Sequence, residues 1–310
     1  MKLFQTGDRS ISQKMKSGLG SIAIAATALT LSGCGDKGED EGGDETAVLR
    51  FSAIPDKTTT GQAERFKPVA EFLSQELGVK VEFVPAIDYS ASVEKFENGD
   101  IQLAWFGGVS GVQARNAVDG AKALAAGKED LAFKSYFIAN SATGLEKSDD
   151  FPAAIAGLNF TYGSAGSTSG CMMPSHFIMA NTGKSPFDFF EKKPGFSGAH
   201  DSTALAVQDG NFQAGVLSYT TFDEMVAEGK IDPARVKVIW ETPAFADYNF
   251  TAHPKLNKMF GEGFVDKLKK ALLACKDPAV LHALDRSEIV EVTNETFKSI
   301  AEVMTKVKFD

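Results

Sequence analysis

Gly163-Ser164-Ala165-Gly166-Ser167-Thr168-Ser169-Gly170 stands between an apolar run, Ile155 to Tyr162, and the helix-like stretch Cys171-Met172-Met173-Pro174-Ser175-His176-Phe177-Ile178-Met179-Ala180. The apolar run reads as a short strand. A strand, a small-residue turn crowded with hydroxyls and a helix start form the repeating unit of an α/β sheet. The same combination is a ready anion site, because the free N–H groups of a first helical turn and the helix dipole both favour negative charge. Three consecutive hydroxyls add donors. Ser and Thr also cap helices for purely local reasons, so the turn alone supports either reading.

The flanking chain repeats the unit. Val48 to Ile54 reads as a strand ending at Pro55, and Gln62 to Leu77 carries Phe66, Val69, Ala70, Phe72, Leu73 and Leu77 as a helical stripe with Gly78 as its cap. Val79 to Val84 alternates as a strand, Asp88 to Glu97 reads as a helix, and Ile101 to Phe106 is a strand broken by Gly107-Gly108 before a helix to about Ala117. This alternation predicts a largely parallel sheet, with ligands beyond the carboxyl ends of its strands. Ile54-Pro55, Asp88-Tyr89 and Trp105-Phe106-Gly107 therefore fall near one cleft. In the pair Trp105-Phe106, alternation sends one ring to the core and one to the cleft wall without saying which.

Beyond the strand read at Phe133 to Asn140, a second set follows. It comprises the hydroxyl turn and its helix, a strand near Phe196, a helix from Asp201 to Gln208, the strand Phe212 to Leu217, the helix Thr221 to Glu228 and the strand Val236 to Trp240. Glu241 to Phe250 reads as irregular through Pro243, and the tail from Pro254 as helical. Residues 48–137 read as lobe 1 and 138–247 as an inserted lobe 2, with 248–310 free to return to lobe 1.

The first 33 residues stand apart. Arg9, Lys14 and Lys16 precede the short Ala-rich apolar run Leu19 to Leu31, too short for a permanent span. The run ends in Leu31-Ser32-Gly33-Cys34, which resembles a bacterial lipobox and implies cleavage before Cys34 and lipidation of its thiol. Gly35 to Thr46 contains no apolar residue and reads as an acidic, Gly-rich tether, residues 34–47 in all.

Loss of residues 1–33 takes away four basic residues and one acid, moving the formal net charge from −9 to −12. Such a surface argues against nucleic acid or anionic lipid as partners. A small anion is still compatible, because a dry cleft is governed by its own dipoles. Cys171 and Cys275 lack CxxC spacing, and His176, His253 and His282 lack neighbours at ligand spacing, so neither metal nor cofactor is expected. Cys171 beside the hydroxyl turn has no base near it in sequence and reads as a small buried residue.

Asp88-Tyr89, Leu103-Ala104-Trp105-Phe106-Gly107, Ser167-Thr168-Ser169-Gly170, Gly198-Ala199-His200-Asp201 with Ala204-Leu205-Ala206-Val207, and Val238-Ile239-Trp240 resemble, in order and spacing, the phosphonate/phosphite solute-binding proteins of ABC importers. The resemblance implies a type II periplasmic-binding-protein architecture of two Rossmann-like lobes, with crossovers near 137–141 and 243–248, closing on a tetrahedral oxyanion. It implies that Ser167, Thr168 and Ser169 hold the anion, that Tyr89 donates from the opposite lobe, and that His200 donates from its helix start. An anion would favour the protonated form of that imidazole. Phe106 stands where amine-phosphonate binders have a second tyrosine, Ser218-Tyr219-Thr220-Thr221 lacks their carboxylate, and another family aspartate falls at or beside Asp247-Tyr248. These departures favour a small anion without an amine: phosphite, phosphate, a simple phosphonate, sulfate or selenate.

The implied partners are that oxyanion, the permease subunits of an importer, and a membrane reached from the extracytoplasmic side through Cys34. A sensor that signals to a membrane receptor uses the same closure physics. A secreted phosphoester hydrolase using Ser167 or Ser169 would need a base or metal ions within reach, and no such pattern stands in the sequence.

Overall fold

Each half of the chain builds its own sheet, and each crossing between the halves delivers one antiparallel strand. The structure is a computed structural model and describes residues 47–58 and 61–307. The signal-like segment, Cys34 and nearly all of the acidic tether lie outside the described residues.

Sheet 1 contains β1 (Val48–Ala53), β2 (Lys80–Phe83), β3 (Leu103–Phe106) and β4 (Lys122–Gly127). Sheet 2 contains β5 (Ser135–Asn140), β6 (Phe160–Tyr162), β7 (Gly195–Phe196), β8 (Ala214–Ser218) and β9 (Val236–Glu241). The chain then returns to sheet 1 with β10 (Asn249–Ala252) and β11 (Ile289–Glu291). The strand orders are β11-β4-β10-β3-β1-β2 and β7-β6-β8-β5-β9. The helices are α1 (Gln62–Leu77), α2 (Tyr89–Glu97), α3 (Gly108–Ala117), α4 (Met173–Thr182), α5 (Pro186–Phe189), α6 (His200–Gln208), α7 (Tyr219–Ala227), α8 (Lys255–Phe260), α9 (Phe264–Ala274), α10 (Pro278–Leu284) and α11 (Lys298–Lys306).

The sheets are mixed rather than largely parallel. β1 pairs in parallel with β2 and β3, as the alternation predicts, but β10 runs antiparallel between β3 and β4. In sheet 2, β5 is antiparallel to both β8 and β9. The first crossover is Phe133–Lys134, earlier than the expected 137–141, because β5 pairs within sheet 2 from Ser135 onward. Phe133 and Phe245 exchange backbone hydrogen bonds of 2.8 and 2.9 Å, so the two crossovers form a short antiparallel bridge of their own.

Aromatic packing anchors the strands. Phe51 of β1 meets Phe66 of α1 edge-on at 5.8 Å, and Phe160 of β6 stacks on Phe190 at 4.6 Å. Full burial of one such ring stabilises by about 1.5–3 kcal/mol. β3 is buried at all four positions. Its C-terminal end, with those of β1, β6 and β8, opens toward the cleft, which is where parallel strands present ligands.

Candidate functional site

The hydroxyl turn bends in a way ordinary helix periodicity does not anticipate. Ser167 Oγ accepts the Gly170 N–H at 2.9 Å, so the residue does cap its helix. Residues Thr168–Met172 then form a π-helical turn before α4 begins at Met173, and the Met172 N–H reaches back to the Ser167 carbonyl at 3.0 Å. The wider turn is a feature frequent at functional sites. Gly170 permits the approach of two groups: a Cβ there would lie 2.9 Å from Ser167 Oγ and 3.0 Å from His200 Cε1.

His200 opens α6 and is 1% exposed. Its Nδ1 accepts the Ser218 N–H from the end of β8 at 3.2 Å, so Nδ1 is bare and the proton sits on Nε2. Nε2 is buried without a hydrogen-bond partner. Burial holds the imidazole down to about 4 despite the nearby Asp56 and Asp201 charges. His200 is thus a neutral imidazole with its proton on Nε2, and its burial opposes the protonated form that an anion would favour.

Lobe 1 supplies the opposite wall. Asp88 caps α2 by accepting the Ala91 N–H at 2.7 Å, which sets Tyr89 at the first helical position. The Tyr89 phenol lies near the Ser167 hydroxyl, and burial raises its pKa well above the ordinary value. Gly166 is required opposite it, since a Cβ there would stand 2.6 Å from Tyr89 Cβ.

The resemblance puts a family aspartate at or beside Asp247-Tyr248, and Asp247 joins this cluster. It is 1% exposed, its Oδ1 accepts the Gly108 N–H at the start of α3 at 2.9 Å, and its Oδ2 has no partner. Burial pushes its carboxyl up to about 7, with the Gly108 N–H opposing the rise and the Asp130 charge adding to it. Thr168 Oγ1 also accepts the Val109 N–H at 3.0 Å, which joins α3 of lobe 1 to the hydroxyl turn of lobe 2. Ser169 Oγ is buried and unpartnered, while its carbonyl accepts from Ser135 Oγ at 2.7 Å. The only cue to the α3 amides is Gly107-Gly108 following β3, the same strand–turn–helix pattern as the hydroxyl turn.

The aromatic pair divides as alternation requires. Phe106 turns its ring toward α2, against Phe96 at 5.6 Å, and is fully buried in the core. Trp105 takes the opposite face and stacks on Tyr248 at 5.6 Å. Burial raises the Tyr248 phenol, and the neighbouring Asp56, Tyr89 and Asp247 reinforce the shift. Arg286 lies over the Tyr248 ring at 4.7 Å and forms a two-pronged ion pair with Asp130 at 2.8 and 2.9 Å. Tyr89, Ser167, Thr168, Ser169, His200 and Tyr248 therefore gather with Asp247, while the ring contact of Phe106 is on the core side. Burial raises Cys171 to about 12, which leaves it an inert thiol.

A cavity of about 530 Å³ also lies between the lobes, lined by Glu129, Asp223, Glu224, Asp285, Tyr219 and Arg286 among others. Its acidic walls are unsuited to a free anion. The hydroxyl cluster has the opposite character. Ser169 Oγ and His200 Nε2 offer unpartnered donors, and Asp247 Oδ2 offers one acceptor when ionised. Donors with a single carboxyl match an oxyanion that carries a proton.

The chain is similar to several known proteins. The family model described as the ABC transporter, phosphonate, periplasmic substrate-binding protein matches residues 51–297. The chain is 33% identical over 267 residues to the probable ABC transporter phosphite binding protein PhnD1 of Prochlorococcus marinus (strain MIT 9301), covering 84% of this chain and 90% of that protein. It is 32% identical over 261 residues to the phosphate-import protein PhnD of Mycolicibacterium smegmatis, covering 80% and 79%. The structure of Prochlorococcus PhnD1 in complex with methylphosphonate superposes with a TM-score of 0.79, covering 84% of this chain and 97% of that one.

Proposed function

Because the chain belongs to the periplasmic phosphonate substrate-binding family of ABC transporters, we propose that it captures one small tetrahedral oxyanion between its lobes and delivers it to a permease. Phosphite, phosphate and simple phosphonates such as methylphosphonate are the favoured ligands. The carrying observation is the triad of buried, unpartnered polar atoms Ser169 Oγ, His200 Nε2 and Asp247 Oδ2. Polar atoms buried this way are costly unless a ligand completes them.

Asp247 narrows the ligand. Burial already favours the protonated carboxyl, and an anion beside it favours one proton shared across their hydrogen bond. Phosphite, phosphate and phosphonates carry such a proton near neutrality. Sulfate and selenate do not, and would face an ionised carboxylate at higher pH. Hydrolysis fits the cluster poorly, since Nε2 holds its proton and donates rather than acting as a base.

Titration calorimetry of the protein lacking residues 1–34 against phosphite, phosphate, methylphosphonate, sulfate and selenate tests the reading. One of the first three should bind tightly without turnover, and heats indistinguishable from dilution for all of them would sink it. The lipobox-like Leu31-Ser32-Gly33-Cys34 supports anchoring through Cys34, so Cys34→Ser should move the protein from the membrane fraction to the soluble fraction. Retention of that variant on membranes would rule the anchor out.

A further inference from the structure

We propose that Asn249 is the positioning residue for the lobe 1 half of this site, holding Gly107 and Asp247 in register, and that Arg115 sets the sense of its amide. The proposal rests on the oxyanion reading above. Asn249 opens β10, pairs with Phe106 across the sheet and is fully buried. Its Nδ2 donates to the Gly107 carbonyl at 3.5 Å and to the Asp247 carbonyl at 3.3 Å. Its Oδ1 accepts from Arg115 Nη1 at 2.9 Å and from Thr251 Oγ1 at 2.7 Å. Carbonyls only accept and a guanidinium only donates, so a single amide orientation satisfies the surroundings.

The surroundings are shaped for this arrangement. A Cβ at Gly111 would come within 2.8 Å of Arg115 Nη1 and 2.9 Å of the Asn249 amide, so a side chain there would displace the hydrogen-bonded head groups of both. The Arg115 guanidinium rests over the Phe297 ring at 4.9 Å and has no carboxylate in ion-pair reach among the described residues. The half-buried Arg65 and the buried Arg286 are both ion-paired, to Asp56 and Asp130 at 2.8 Å each. Arg115 differs in giving its hydrogen bonds to Asn249 and Thr251 alone, and burial lowers it to about 10.

The two carbonyls held by Asn249 flank a single contact. Gly107 precedes Gly108, whose N–H meets the Asp247 carboxylate, and Val109, whose N–H meets Thr168 of lobe 2. One side chain thereby aligns the acceptor that faces the ligand, the amide that holds that acceptor, and the next amide, which spans the lobes.

Titration calorimetry with phosphite and methylphosphonate on the full chain tests this, in wild type, Asn249→Asp, Arg115→Met, Asp247→Asn and the Asn249→Asp/Asp247→Asn double variant. Asn249→Asp keeps the acceptor for Arg115 but sets an oxygen against both carbonyls. Its affinity should fall at least tenfold with unfolding still cooperative, and Arg115→Met should move the same way by less. In the Asp247→Asn background the Asn249 change should cost severalfold less, a coupling that a purely structural role would not produce. An Asn249→Asp affinity within twofold of a wild type that binds, or an equal loss in both backgrounds, overturns the positioning role alone. If Asn249→Asp does not fold, Arg115→Met with and without Asp247→Asn decides by the same coupling. A wild type that binds no oxyanion overturns the proposal together with the reading beneath it.

Discussion

The backbone N–H of His200 donates to the Asp56 carbonyl at 3.0 Å, so the residue whose ring lies beside Gly170 of the hydroxyl turn in lobe 2 is tied by its main chain to lobe 1. Under the proposed function, ligand contact and lobe contact meet in one residue. Neighbouring side chains extend the tie: Lys57 pairs with Glu224 of α7, and the Thr58 N–H and hydroxyl both meet the Asp201 carboxylate, the former at 3.0 Å. Asp56 holds its place through Arg65 at 2.8 Å. Burial pushes the Asp56 carboxyl up, but Arg65 and Lys57 outweigh it and hold it below the usual range.

Removing the outer ties should loosen closure without touching the anion contacts. Lys57 and Glu224 are about a quarter exposed, and such a pair contributes about 0.2–1 kcal/mol. The Asp201 contacts add a similar amount. Lys57→Ala with Asp201→Ala should therefore weaken ligand affinity roughly two- to thirtyfold, mainly through faster dissociation. Stopped-flow dissociation rates check this, with small-angle scattering to detect a more open ligand-free form. Unchanged dissociation would mean that segment 56–58 has no part in closure.

His200 gives a second expectation. A hydrogen bond to a charged acceptor contributes about 1.5–3 kcal/mol, so His200→Ala should raise the Kd by roughly ten- to more than a hundredfold. The substitution also leaves the Ser218 N–H unpaired, which costs about 1–3 kcal/mol of stability. The neutral imidazole makes a further distinction. Its folded pKa of about 4 lies below the ordinary 6.5, so the unfolded chain takes up a proton in that window and the folded chain does not. This residue's stabilising contribution is full above pH 6.5 and is lost as pH falls toward 4. An imidazolium would give the reverse. The difference in Tm between wild type and His200→Ala, measured at pH 4.5 and 7.5, should be larger at 7.5, and a larger difference at 4.5 would restore the charged form.

The sequence makes the two-lobe architecture and most of the candidate site's clustered polar residues legible for one reason: strand, small-residue turn and helix recur where Ser167 and Gly107 stand. The strands it hides are those without a pattern. β4 is Lys-Ala-Leu-Ala-Ala-Gly, with no β-branched residue, and β10 is four buried residues following a proline-broken segment. Missing β10 makes the sheet look parallel and leaves Asp247 and Asn249 in an apparent loop. Tautomer and charge are hidden for another reason. That His200 is neutral depends on Ser218, eighteen positions away, and on complete burial. The Asp247 pKa likewise depends on the approach of Gly108, which only the folded crossover brings about.

Asp247 carries the last expectation, and its sign is opposite to that of His200. Its folded pKa of about 7 lies above the ordinary 3.8, so between those values the folded chain holds a proton that the unfolded chain has released. Stability therefore falls as pH rises through this window, by up to about 1.4 kcal/mol for each unit crossed, and levels off above pH 7. Asp247→Asn removes the titration while an amide oxygen still accepts the Gly108 N–H. The variant should gain on wild type steadily from pH 4 to pH 7 and keep that gain at pH 8. In binding, the amide adds a donor where wild type above pH 7 presents only an acceptor, so the variant should lose preference for protonated anions. Sulfate, rejected by wild type at pH 8, should bind the variant measurably better there, while phosphite binding weakens. Denaturation midpoints across this range and paired titrations at pH 8 provide the check. A Tm difference independent of pH, with sulfate still rejected by the variant, would remove the Asp247 carboxyl from ligand selection.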